Sequence, residues 1–386
     1  MPAALSWPAL VLLVAACSLP AGAAPRVPSS DSEVVETLPT VAGWSREERR
    51  LRRELAQRPE DEASAVEAAQ AYLALAREQG DARYAGQAMG ALQAWKARAP
   101  DQTPVAVLVM RATVAQFLHD FDGAEADLKA ALARQPRDAQ AWLTLATILR
   151  VRGRIAESDT ACRALGRFGP VPYALACQAE NAGLRGEHET ARETLRRLLS
   201  EPALQAATRQ WLLTTLAELE ERAGRPAEAE SAYRQALREA SDSGYLLLAY
   251  GDFLLQRSRP GEVPPLLDKA PRSDAVLLRL AIAERRTGAS ERRYANELLA
   301  RLKAAALRPG ATAAHAREEA LFALDVQGDA KRALALARAN VELQREPFDL
   351  LLLARSAAAT RDAGALREAK ALAQRVGARD ARIDSL

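Results

Sequence analysis

The chain has 386 residues, with 53 Lys and Arg against 50 Asp and Glu, a formal net charge of +3. That near balance, with no compact basic stripe interleaved by aromatics, argues against nucleic-acid binding. Aromatics make up 5% and the hydrophobic total is 49%; the latter is largely alanine and leucine, which favours helices over strands.

The N-terminus reads as a targeting segment. Residues 8–16, PALVLLVAA, form an apolar run too short to span a bilayer stably. Leu19-Pro20-Ala21-Gly22-Ala23 comes next as a helix break and small-x-small cleavage site, so residues 1–23 are expected to be a signal peptide and Ala24 the new N-terminus. A second reading stays open: Val14-Ala15-Ala16-Cys17 resembles a lipobox, and lipidation at Cys17 would tether the chain to an outer membrane. No Lys or Arg precedes the apolar run, which favours neither. Both readings place the mature chain outside the cytosol, with the periplasm as the expected compartment. No later segment is apolar enough over its length to be a transmembrane span.

Residues 24–44 are rich in Pro, Ser, Thr and acids and read as a disordered leader. A helix is expected over 45–61, with Ser45 as N-cap and Glu48 as its capping-box partner, ending before Pro59. It would cap the first unit of a stack. From about residue 62 to 380 the chain carries a recurring phrase, Gly-x-x-x-x-Ala, inside amphipathic stretches. Its copies are Gly153 to Ser158, Gly186 to Ala191, Gly224 to Ala229, Gly328 to Ala333 and Gly364 to Ala369; His119 to Ala124 keeps the alanine and loses the glycine. Steps of 34, 33 and 38 residues separate the copies between 119 and 224. A period of this size marks a solenoid of stacked helix pairs.

The phrase has a physical reading. Gly224 comes after the apolar-periodic run Trp211, Leu212, Leu213, Leu216, Ala217 and Leu219, where a helix must stop. Arg225-Pro226 opens a second helix, since proline is tolerated in a first turn. That helix carries Ala229, Ala232, Tyr233, Ala236 and Leu237 at three-and-four spacing. Alanine five residues after the glycine lets two antiparallel helices approach closely. Turns are predicted near Gly153, Gly186, Gly224, Gly288, Gly328 and Gly364.

These residues resemble the tetratricopeptide repeat family, whose 34-residue unit prefers Trp at position four, Leu at seven, a small residue at eight, Ala at 20 and 27 and Pro at 32. A unit started at Ala139 supplies Trp142, Leu145, Ala146, Leu149, Ser158, Cys162, Leu165 and Pro170. One started at Val105 supplies Leu108, Ala112, Ala115, Ala124, Leu128, Ala131 and Pro136; one started at Gly244 supplies Leu247, Tyr250, Gly251, Leu254, Val263, Leu267 and Ala270. The resemblance covers roughly residues 62–380. Residues 62–100 fit poorly, because Gly80 comes late, and extra residues precede Pro309. It implies an all-α, right-handed superhelical solenoid of about eight helix-turn-helix units, with 381–386 as a C-terminal tail.

In that family, positions two, five, nine, twelve and thirteen of each first helix line the concave surface where peptides lie. In three consecutive units, position two is Tyr173, Trp211 and Tyr245, and position nine is Glu180, Glu218 and Asp252. Residues seven apart share a helix face, so an aromatic row is expected beside a carboxylate row. Thr147 and Arg150 precede this patch and Arg279 comes after it. The implied ligand is a protein or peptide segment carrying Lys or Arg next to apolar residues. The competing reading has the aromatics packed on the previous unit and the acids balancing nearby arginines. The family's carboxylate-clamp groove, which needs Lys, Arg and Asn at set positions, is not supported: Asn181, Asn296 and Asn340 do not fall in that pattern.

Catalytic signals are absent. His119, His188 and His315 stand alone and read as turn or surface residues. There is no Cys-x-x-Cys, His-Glu-x-x-His, phosphate loop or nucleophile elbow, hence no foundation for a metal, cofactor or acyl-transfer site. Cys162 and Cys177 flank the turn at Gly169-Pro170 almost symmetrically, so either a disulfide or two buried thiols fits them. Together these features read as a non-enzymatic exported scaffold for a protein partner. An enzyme or its regulatory subunit with an unrecognised groove site, and a structural lipoprotein, are the alternatives. Oligomeric state is not encoded in any feature above.

Overall fold

In a computed structural model of the chain, the described residues are Ser30, 44–241, 243–305 and 316–386. The signal segment, Cys17, most of the leader, His315 and the stretch before Pro309 lie outside them. The expected cap is α1, Trp44–Gln57. It starts one residue before Ser45, which therefore lies inside the first turn and not at the N-cap.

Beyond it the fold is a stack of helix pairs. They are α2 (Glu62–Gln79) with α3 (Ala82–Ala91), α4 (Val105–Phe117) with α5 (Phe121–Arg134), and α6 (Ala139–Val151) with α7 (Ile155–Phe168). Next come α8 (Val171–Leu184) with α9 (His188–Leu199), α10 (Ala206–Arg222) with α11 (Pro226–Glu239), and α12 (Gly244–Gln256) with the short α13 (Val263–Leu267). The stack ends with α14 (Asp274–Arg286) and α15 (Arg293–Ala305), α16 (Ala316–Leu321) and α17 (Ala330–Leu343), and α18 (Pro347–Ala359) and α19 (Ala363–Arg375). Among the described residues there is no strand. The poorly fitting region is also a helix pair, with an 18-residue first helix and a 10-residue second one.

Local sequence accounts for the helix starts. Asp61, Asp138 and Asp329 cap α2, α6 and α17 by accepting hydrogen bonds from Ser64, Ala141 and Arg332 backbone N–H groups. Each satisfies a donor that the first turn leaves without a partner. Gly153, Gly186, Gly224, Gly288 and Gly328 all sit at positive φ where a helix reverses. His119, Ser258 and Arg361 take the same left-handed conformation without being glycine. The expected turn at Gly364 is corrected accordingly: Asp362 caps α19 through the Gly364 and Ala365 N–H groups, so Gly364 falls inside the helix and Arg361 makes the reversal.

The alanine of each phrase is buried in the stack. Ala124, Ala191, Ala229 and Ala333 have no solvent exposure, and Ser158 in the same role donates to the Ala146 carbonyl at 2.8 Å. Ala229→Leu is expected to destabilise the stack by about 1–3 kcal/mol, because a close-packed helix contact absorbs added volume poorly. An unchanged urea midpoint would show that the contact relaxes freely.

The last helices return to the earlier ones. The Arg345 N–H donates to the Val151 carbonyl at 2.6 Å, and the Arg379 N–H to the Leu184 carbonyl at 2.8 Å. Residues 381–386 are not a tail. Ala381–Asp384 forms a four-residue helix, α20, capped by Asp380, and its Ile383 is buried in the core cluster that runs from Ala176 onward.

Candidate functional site

Tyr173 and Tyr245 stand in the first turn of α8 and α12, and Trp211 in the second turn of α10. The Tyr173 and Trp211 rings stack, with centroids 5.9 Å apart and planes 30° from parallel. Tyr173 is 38% and Tyr245 64% exposed, large values for aromatic side chains, while Trp211 is half-buried against the main core cluster. The middle ring is thus held by the core on one side and by Tyr173 on another. Side chains so fixed lose little entropy when a ligand covers them.

The carboxylate row is occupied from within. Glu180 pairs with Arg150 of the previous unit at 2.9 Å. Asp252 takes a bidentate pair from Arg279 of the next unit, at 2.9 and 2.6 Å. Glu218 accepts the Tyr245 hydroxyl at 2.5 Å. Of the two readings of this row, the one in which the acids balance nearby arginines describes Glu180 and Asp252. Arg150 and Arg279, placed by the sequence at the ends of the patch, reach one unit along the stack and neutralise its acids. Thr147 turns its hydroxyl to the Leu143 carbonyl of its own helix at 3.0 Å.

Glu218 differs from its neighbours because its partner is a phenol and not a cation. Burial raises its pKa to about 7, against the lowering influence of Arg222 and of the Tyr245 hydrogen bond; Glu180 and Glu221 push it up further.

The sequence reading passed over residues that complete this neighbourhood. Arg317 forks onto Asp349 at 2.6 and 2.8 Å and reaches Glu346 at 2.6 Å. Asn340 donates to the fully buried Asp349 at 2.7 Å. Glu346 and Asp349 form a capping box at the start of α18. The signal was present as an acid at 346 and another three residues on, flanking Pro347 and an apolar run. His119 is a turn residue at positive φ. His188 opens α9 with its Nε2 buried and unpartnered, and desolvation together with Arg222 and Arg192 lowers its pKa. Cys162 and Cys177 are joined by a disulfide between α7 and α8, their Cα atoms 5.7 Å apart.

Among the described residues no three His, Cys, Asp or Glu side chains converge as a metal site, and no helix is long and apolar enough to cross a membrane. Paired helices with a small residue at the crossing and a left-handed turn before it recur through the stack. The profile of the Tetratricopeptide repeat family matches residues 109–170 and 214–262. Over these two stretches the chain is similar to tetratricopeptide repeats.

Three solved tetratricopeptide repeat structures are similar to parts of the chain. A thermophilic tetratricopeptide repeat protein of Thermus thermophilus is 20% identical, spans 50% of this chain and 100% of its own, and has a TM-score of 0.40. A tetratricopeptide repeat protein from Parabacteroides merdae is 19% identical over 65% of this chain and 98% of its own, with a TM-score of 0.38. PilW, described as a widely conserved type IV pilus biogenesis factor, is 19% identical over 54% of this chain and 96% of its own, with a TM-score of 0.37. No curated protein matches the chain.

Proposed function

We propose that this protein is an exported, non-enzymatic scaffold that holds a protein partner against the starts of α8, α10 and α12. Tetratricopeptide repeats are protein-interaction modules, and this is the coarse function of the chain. The observation that carries the finer reading is the aromatic row, with two of its three rings well exposed and Trp211 stacked between core and Tyr173. Since Arg150 and Arg279 answer two of the acids, apolar and aromatic contact supplies the affinity. Glu218 is the one carboxylate of the row left to a cationic group of the ligand, once that group displaces the Tyr245 hydroxyl.

Export rests on the apolar run at 8–16 and the cleavage motif at Ala21–Ala23, and the paired cysteines suit an oxidising compartment. The mature chain is expected to begin at Ala24 by mass; an acylated Cys17 would make it a lipoprotein instead.

The binding test uses partners captured from an envelope fraction by the mature protein. Trp211→Ala is expected to weaken capture by about 2 kcal/mol or more, as loss of an aromatic anchor does. Part of its half-buried surface also supports the fold, so a circular-dichroism melt must show the variant still folded. Binding should strengthen as pH rises from 6 to 8, since Glu218, with its pKa near 7, gains charge over that range. Glu218→Gln should flatten this dependence. Partner affinity unmoved by either substitution in folded protein would show that the aromatic row is structural.

A further inference from the structure

The returning C-terminal segment touches the stack at one kind of place. Val151 and Leu184 are the last residues of α6 and α8, and their carbonyls are among those a helix end leaves without an intrahelical partner. Each is satisfied by a backbone N–H of the returning chain, from Arg345 and Arg379. At the end of α10, Glu221 accepts from Arg382 Nη1 at 2.7 Å and from the Tyr233 hydroxyl at 2.5 Å. Gln256, closing α12, accepts from the same Arg382 nitrogen at 3.3 Å. Helix C-termini carry partial negative charge and favour cations; Arg382 brings its guanidinium to the ends of α10 and α12, whereas Arg345 and Arg379 contribute backbone N–H groups. Ile383, 3% exposed, is the apolar anchor beside them.

This ridge is separate from the aromatic row. Trp211 and Glu221 lie on the same helix ten residues apart, about 15 Å along its axis.

The hold is concentrated in Arg379, Asp380, Arg382 and Ile383. Ala381, Asp384, Ser385 and Leu386 are exposed, and α20 has four residues. Gly377, at φ 75°, joins it to α19 with nothing within 4 Å of where a side chain would begin. A cavity of about 830 Å³ opens next to the segment, lined by Phe253, Leu255, Leu351, Arg257, Arg355 and Leu386 among others.

We propose that the ridge formed by the ends of α8 and α10 is a second docking surface, specific for a short segment that combines arginine with an apolar anchor. Residues 376–386 occupy it in cis as an intramolecular competitor. A partner segment of the same chemistry binds when this clasp lifts. The proposal does not depend on the aromatic row.

The test titrates a fluorescent peptide of residues 376–386 into full-length protein. Arg382→Ala, which weakens the cis contact, is expected to bind the peptide at least about tenfold more tightly than wild type, a factor worth about 1.4 kcal/mol. Adding Glu221→Gln to that variant should abolish the gain, with a melt confirming that the double variant is folded. Hydrogen exchange at the Arg379 amide should quicken in Arg382→Ala and slow again when peptide is added. Equal binding to wild type and Arg382→Ala, binding to neither, or a gain that survives Glu221→Gln would each overturn the proposal.

Discussion

Glu220→Ala is expected to destabilise the protein by about 3–5 kcal/mol, the cost of leaving one member of a buried ion pair uncompensated. Arg192 and Glu220 are 2% and 1% exposed and pair in a fork, Nε to Oε1 at 2.5 Å and Nη2 to Oε2 at 2.7 Å. The pair ties α9 to α10 across a unit boundary, where a solenoid gains its cooperativity. Glu189 also meets Arg192 at 2.6 Å, and Arg225 approaches Glu220 at 3.6 Å, so the guanidinium would keep one partner and the loss should fall toward the lower figure. Replacing both residues by leucine should cost far less, because no buried charge is then stranded. Urea unfolding monitored by circular dichroism separates the cases. A loss below about 1 kcal/mol for Glu220→Ala would mean that water reaches Arg192 and the pair is not a true interior contact.

Removing the Cys162–Cys177 bond is expected to cost about 3 kcal/mol, the loop-entropy value for a closure of this length; 15 positions separate the two residues. Both sulfurs are buried, in the cluster that holds α4 to α8 together. The Asn181 amide contacts Cys162 Sγ and also donates to Ser158 and Asp159, so the bond sits inside a polar network that fixes α7 on α8. The urea midpoint of wild type should fall on adding dithiothreitol, and a Cys162→Ala/Cys177→Ala variant should start lower and ignore the reductant. If both midpoints are unmoved, local packing alone holds the α7–α8 hairpin.

These two contacts hold the units that carry Tyr173 and Trp211. The disulfide fixes α7 on α8, the helix of Tyr173, and the ion pair fixes α9 on α10, the helix of Trp211. Loosening either should blur the stacking of the two rings as well as lower stability, which ties the energetics of the scaffold to its proposed binding face.

The helices, their pairing and most of their turns were legible in the sequence because all three are local. An aspartate caps the helix after it, a glycine ends the one before it, and an alanine five residues on sets the distance between the two. Two of the non-glycine reversals, His119 and Arg361, directly precede the capping aspartates Asp120 and Asp362. The sequence placed an aromatic and an acid seven residues apart on α8, α10 and α12, and residues so spaced share a helix face. Whether those acids were free was not readable. The partners Arg150, Arg279 and Tyr245 stand 27 to 30 residues away on neighbouring units, and only the twist between units decides which side chain meets which. The return of Arg379 and Arg382 to α8 and α10 lies further beyond a local code, with Arg382 and Glu221 separated by 161 residues. That contact depends on small rotations added over every intervening pair, so tertiary structure alone determined that the superhelix closes on its own C-terminal segment.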